Sequence, residues 1–264
     1  MSEAIDPSRP LGEEFRRIAE NLIGAAIASL SGPDADPASG PHEARRCIKD
    51  LRALLRLVRS ADETYFHREN RRYRDIAQSL AGVRGAAALV ETVDRLVADF
   101  PDEIEAGGGL SSIRARLVEE RDRAVGAQGS FPAIAEESIG RFPAAREALA
   151  GLSLPILTRR AADVLGAGME RTAGKAEKMR RRAGKSGDPA DFHELRKAVK
   201  HHWAHLRLLA DAWPKHGKRR LKAMKRLGNR LGELHDIAVL RERIQSNWRE
   251  SAPAAEIALL HLLM

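Results

Sequence analysis

Apolar residues recur along this chain at helical spacing and almost nowhere at strand spacing. Leu11, Phe15, Ile18, Leu22 and Ile23 share one side of a helix predicted over 11–30. Gly, Pro and Asp residues break the pattern over 31–41. Pro41 suits the first turn of the next predicted helix, 41–59, where its missing N–H costs nothing. In that helix Ala44, Ile48, Leu51, Leu55 and Val58 form the core stripe. Further helices are predicted over 62–80, 85–99 and 110–125, with Phe100-Pro101 and Gly107-Gly108-Gly109 as breaks. Phe131-Pro132 and Phe142-Pro143 punctuate a middle region. A second series follows near 156–183, 190–212, 215–231 and 235–249, with a loop at 184–189 and a tight break at Trp213-Pro214. The apolar stretch 254–264 is again helical in pattern. No sustained period-two run of Val, Ile, Thr or aromatics is present, so the fold class is all-α.

The polar positions carry a second message. His42-Glu43-Ala44-Arg45-Arg46-Cys47-Ile48-Lys49 returns as His193-Glu194-Leu195-Arg196-Lys197-Ala198-Val199-Lys200, an offset of 151 residues. At the same offset Ala53, Leu55, Arg56 and Leu57 recur as Ala204, Leu206, Arg207 and Leu208, and Arg71 and Arg74 align with Lys222 and Lys225. The chain is therefore expected to be one domain over 1–264, an internal duplication with a first helical repeat and linker over 11–150 and a second over 151–264. Placed at about 100° per residue, His42, Arg45, Lys49, Arg52 and Arg56 fall within an arc of about 80°. His193, Arg196, Lys200 and Arg207 occupy the same arc in the second copy, with Trp203 at the Arg52 position. A later helix repeats the device: His67, Arg71 and Arg74 share one face, as do Lys218, Lys222 and Lys225. Like charges at i,i+4 destabilise a helix by a few tenths of a kcal/mol per pair, roughly. A polyanion lying along the face is the simplest thing to offset that cost.

Composition narrows the class. Charged residues make up 31% of the chain and aromatics only 4%, which suits helices and leaves few rings for stacking bases. The net charge of +8 is uneven: between Arg171 and Arg249 stand 22 Lys/Arg against 8 Asp/Glu, so the rest of the chain is acidic. Cys47, the single cysteine, falls between the core and basic arcs and is expected to be a small core residue; a reducing compartment fits. No apolar run approaches a membrane span, and no signal peptide is expected.

The paired His-x-x-Arg-x-x-x-Lys helices, each followed by basic helices, resemble the CHAD domain (conserved histidine α-helical domain). So do 192–203 and the run Leu231-Gly232-Glu233-Leu234-His235-Asp236. The resemblance covers nearly the whole chain from about Leu11. It implies two pseudo-symmetric four-helix bundles around a basic central channel that binds inorganic polyphosphate, without catalysis, in the cytoplasm and at polyphosphate granules. By the same resemblance, the lining residues would be His42, Arg45, Lys49, Arg52 and Arg56 from the first copy and His193, Arg196, Lys200 and Arg207 from the second. Arg71, Arg74, Lys218, Lys222 and Lys225 would contribute further. The family has Arg-Asp where this chain has Arg84-Gly85, while His235-Asp236 keeps the pattern; the missing Asp bears on local order. The chemistry agrees: a line of phosphates wants many cations, with Arg contacting two oxygens and Lys acting as a point charge. Binding should weaken steeply with salt. For His42 and His193 the ordinary alternative is a satisfied histidine at a helix start.

Other motifs fail on inspection. Gly184-Lys185-Ser186 resembles the end of a P-loop, but Met179 stands where the first glycine belongs. His42-Glu43 and His193-Glu194 lack the second histidine of a zincin. His201 and His205, four apart, align with Asp50 and Leu54 and are expected to be helix-surface histidines, and no metal or cofactor is expected. Two rivals remain: a nucleic-acid-binding protein, disfavoured by the scarcity of aromatics among the cations, and a helical scaffold docking an acidic protein. Trp203 and Trp213 are expected to be packing residues.

Overall fold

The computed structural model describes residues 4–31, 39–80, 84–127, 131–212, 214–247 and 253–263, apart from the side chains of 84–87, 124–127, 214–216 and 247. Trp213 and the surroundings of Arg84-Gly85 fall outside that set. Among the described residues there is no strand. The helices are α1 (Leu11–Leu30), α2 (Gly40–Leu57), α3 (Glu63–Ser79), α4 (Arg84–Asp99), α5 (Pro101–Ala106), α6 (Ser111–Ala127), α7 (Phe131–Gly140), α8 (Phe142–Glu147), α9 (Thr158–Ser186), α10 (Pro189–Leu208), α11 (Pro214–Asn247) and α12 (Ala254–Leu263). The fold is all-α, as the periodicity predicts.

Local chemistry sets the boundaries. Asp62 accepts the Tyr65 N–H at 2.8 Å and so caps the start of α3. Asp188 does the same for α10 through Ala190 N–H at 2.8 Å, and Pro189 takes the first helical position. Between α9 and α10 only Gly187 and Asp188 intervene. Gly187 stands at φ +65°, the left-handed conformation that ends a helix most cheaply without a Cβ. The expected break near 231–235 does not occur: α11 runs for 34 residues through Gly232. A single interior glycine costs only about 1 kcal/mol, too little to stop a helix.

The chain forms two compact units. The first comprises residues 1–81 and 130–229, the second 82–129 and 230–264. These units cut across the sequence halves 11–150 and 151–264, since the first joins α1–α3 of one copy to α9, α10 and the start of α11 of the other. In it α1 lies against α2 and α9 against α10, while α2 also touches α3, α9 and α10. Every residue of the predicted stripe on α1 and of that on α2 is buried, and Cys47 is buried with them. In the second unit α4 packs on α6, and Leu89, Val93, Leu96, Ile113, Leu117, Leu240, Ile244 and Leu260 form a separate core. There Glu256 of α12 accepts from Ser112 N–H at 3.1 Å and Ile113 N–H at 2.9 Å, capping α6 with a carboxylate from a distant helix.

One contact in the first unit is set by the absence of a side chain. Gly168 on α9 meets the end of α2 so closely that a Cβ there would stand 2.1 Å from Leu57 O. The equivalent carbonyl of the second copy, Leu208 O, accepts Ile5 N–H at 2.8 Å. Gly168→Ala would gain about 1 kcal/mol of helix propensity. The clash is with backbone, which cannot swing aside, and overpacking of this kind typically costs about 1–3 kcal/mol or more. We expect a net loss of about 2 kcal/mol and a melting temperature lower by about 4–8 °C. A thermal melt of the variant within about 2 °C of wild type would mean the two helices do not meet at this distance.

Candidate functional site

The two motif helices are buried position by position alike. From 40–58 against 191–209, each pair of equivalent residues has the same degree of burial, except Asp50 against His201 and Leu51 against His202. His42 and His193 are half-buried, as are Arg45 and Arg196, while Lys49 and Lys200 are both exposed. Duplication has thus preserved not only the cations but the depth at which each stands.

The contact of α2 with α10 brings four of them together. Lys49 keeps its side chain open to water yet stands in a wall of protein. That surrounding bulk, and then the charges of Arg45, Lys200 and Arg196, hold its amine below the ordinary lysine pKa. Asp50 is the one carboxylate acting the other way, as the smallest influence. Burial likewise lowers Arg45, whose Nη1 donates to Ala77 O at the end of α3. The Nε atoms of Arg45 and Arg196 are both buried, and among the described residues neither has a hydrogen-bond partner. His193 is lowered by burial and by Lys197 and Arg196.

A second group adjoins on α2. Arg52 donates through Nε to Asn70 Oδ1 of α3 at 2.9 Å, and Arg56 donates through Nη1 to Arg52 O at 3.0 Å. Burial, and then Arg52, bring Arg56 down to about 10. Burial, and then Arg74, lower Arg52. His201 of α10 is pushed down to about 3 by burial first and then by Arg56, Lys175, His205 and Arg52. Lys175 on α9 and His201 therefore belong to this cluster, although nothing in the sequence motif pointed to Lys175. Arg207 is engaged differently: its Nη2 lies 2.7 Å from Asp50 Oδ2, and its guanidinium stacks 5.2 Å over the Trp203 ring.

The remaining expected residues lie further out. Arg71 and Arg74 are exposed on α3, Arg74 pairing with Asp75 at 3.2 Å. Lys218, Lys222 and Lys225 are exposed on the part of α11 within the first unit. Among the described residues no contact ties Arg71 or these lysines to the central cluster.

His205 corrects an expectation. It is not a surface histidine but fully buried. Its Nε2 donates to Ala53 O of α2 at 3.0 Å, and Thr172 Oγ1 of α9 lies 3.2 Å from Nδ1. Its alignment with apolar Leu54, also buried, was the signal that placed it inside. A cavity of about 300 Å³ lies elsewhere, lined by Ile5, Pro10, Leu11, Ile156, Ala161 and Leu165 among others, with Arg9 its only cation. None of the four central cations lines it. Among the described residues no three His, Cys, Asp or Glu side chains group as a metal site, and no helix is long and apolar enough to cross a membrane.

Compared with known proteins, residues 9–245 match the family model described as the CHAD domain. No curated protein matches the chain.

Proposed function

The chain belongs to the CHAD family, and from that premise we propose that it binds inorganic polyphosphate as a non-catalytic module, in the cytoplasm and at polyphosphate granules. The observation that carries this reading is the meeting of Arg45, Lys49, Arg196 and Lys200, equivalent residues of two copies, where α2 touches α10. Repulsion among them is already felt in the unliganded chain, and a string of phosphates would turn it into attraction. In this reading His42, Arg45, Lys49, Arg52, Arg56, His193, Arg196 and Lys200 contact the polymer. Arg71, Arg74, Lys218, Lys222 and Lys225 would act over longer range, and Arg207, held by Asp50, would contribute least.

Calorimetric titration with polyphosphate of defined length, at two salt concentrations and beside duplex and single-stranded nucleic acid, tests the reading. Polyphosphate should bind most tightly, with log K falling by roughly 0.7–0.9 per log unit of salt for each phosphate contacted, if it releases counterions as nucleic acids do. Tighter binding to nucleic acid would favour that rival and overturn the proposal. Failure of wild-type protein to bind polyphosphate at low salt would do the same.

A further inference from the structure

The two copies differ at one place where their equivalence should make them alike. Asp50 on α2 pairs across the helix contact with Arg207 on α10 at 2.7 Å. Exchanging the copies turns Asp50 into His201 and Arg207 into Arg56. The counterpart of a carboxylate–arginine pair is thus a histidine beside an arginine. The next position diverges in the same sense. Trp203, over which Arg207 stacks, corresponds to Arg52, which instead adds a cation next to Arg56. Lys175 of α9 also acts on His201. Among the described residues no carboxylate forms an ion pair with Arg52, Arg56 or Lys175; Asp75 and Glu194 are the acidic groups whose charge is felt there, at Arg52 and Lys175 respectively. One end of the helix contact is neutralised and capped by an indole. The other end gathers three permanent cations and a histidine.

We propose that the anion is gripped asymmetrically: Lys175 and His201 join Arg52 and Arg56 as phosphate-contacting residues at one end, while Asp50 withdraws Arg207 from the other and so sets where the footprint stops. This rests on the polyphosphate reading and adds to it a polarity that the sequence repeat alone would deny. A paired arginine must give up a partly buried carboxylate to take a phosphate and gains little by the exchange. An arginine with no carboxylate gains the whole charge-assisted bond. His201 is neutral in the unliganded protein, surrounded by Arg56, Lys175, His205 and Arg52, and a phosphate among these groups would both accept from it and favour its charged form.

Binding of polyphosphate of defined length to the whole chain, with helicity checked by circular dichroism, decides the matter. Lys175→Ala removes an exposed side chain and should weaken binding by about 10-fold. His201→Asp recreates the first copy's arrangement, and weakening by about 30-fold or more is expected because Arg56 gains a carboxylate. Asp50→Asn should strengthen binding and raise the salt slope by roughly 1 as Arg207 becomes available. If wild type binds while Lys175→Ala and His201→Asp bind equally well, the asymmetric grip is wrong and the polyphosphate reading stands. If wild type does not bind, both fall.

Discussion

Replacing Lys49 and Lys200 by methionine should weaken polyphosphate binding by about 100-fold or more at low salt, since each charge-assisted contact contributes about 1.5–3 kcal/mol. The salt slope should fall by roughly 1.5 as two contacts are lost. The single variant Lys49→Met should melt no lower than wild type and slightly higher. Lys49 already feels Arg45, Lys200 and Arg196, so removing it relieves repulsion that the unliganded fold carries; like-charge neighbours cost a few tenths of a kcal/mol each, roughly. Methionine keeps the apolar stem, which matters for Lys200, whose stem lies against Gly228 on α11.

This opposition of signs makes the experiment informative. A residue that matters only for packing loses stability and binding together. A residue kept for its charge toward a ligand loses binding and returns stability. Calorimetry and a thermal melt on one preparation read both. Unchanged affinity would remove these lysines from the site, and lost stability with lost affinity would make their role structural.

Much of this arrangement was legible in the sequence because it is local. Leu11–Leu30 matches the predicted first helix end to end, and the stripes on α1 and α2 are buried as the periodicity requires. The basic arc was legible for the same reason, since helical spacing alone brings Arg45, Lys49, Arg52 and Arg56 to one face. What stayed hidden was non-local. No spacing rule shows that α2 docks on α10, that Asp50 meets Arg207, or that Lys175 on α9 joins the cluster around His201. The compact units cross the sequence halves for a related reason: a repeat tells which segments are alike, not which of them pack together. His205 shows a signal present but outweighed. A histidine four residues from another suggests a ligand pair or a surface, whereas its alignment with Leu54 pointed to the core.

That buried histidine makes the first unit sensitive to acid. With Nε2–H donated to Ala53 O, the neutral ring leaves Nδ1 as an acceptor 3.2 Å from the Thr172 hydroxyl, which also reaches Met169 O at 3.0 Å and His202 Nδ1 at 3.1 Å. A second proton would put a charge into this buried site. Burial lowers His205 to about 4; Arg56 and His202 push the same way, against the Ala53 and Gly168 carbonyls. The folded pKa thus lies below the unfolded value near 6.5. Above pH 6.5, roughly, both states are neutral and stability is full. As pH falls toward 4 the unfolded chain takes up a proton that the folded chain refuses, and about 3 kcal/mol is lost. Below 4 both states are protonated and the loss stops growing. Glu14 and Asp191, whose folded pKa values are lowered, lose their contributions from the ordinary carboxylate range downward, so the histidine window lies mostly above theirs. His201 has the same sign but is only half-buried, and solvent screens its share. Urea unfolding from pH 7 to 4.5 should therefore show a steady fall that His205→Gln flattens, because glutamine can still donate to Ala53 O without titrating. Parallel curves for the two proteins would mean His205 is not the neutral pin between α2, α9 and α10. Since α2 and α10 carry the four central cations, loosening that pin would disperse the site itself.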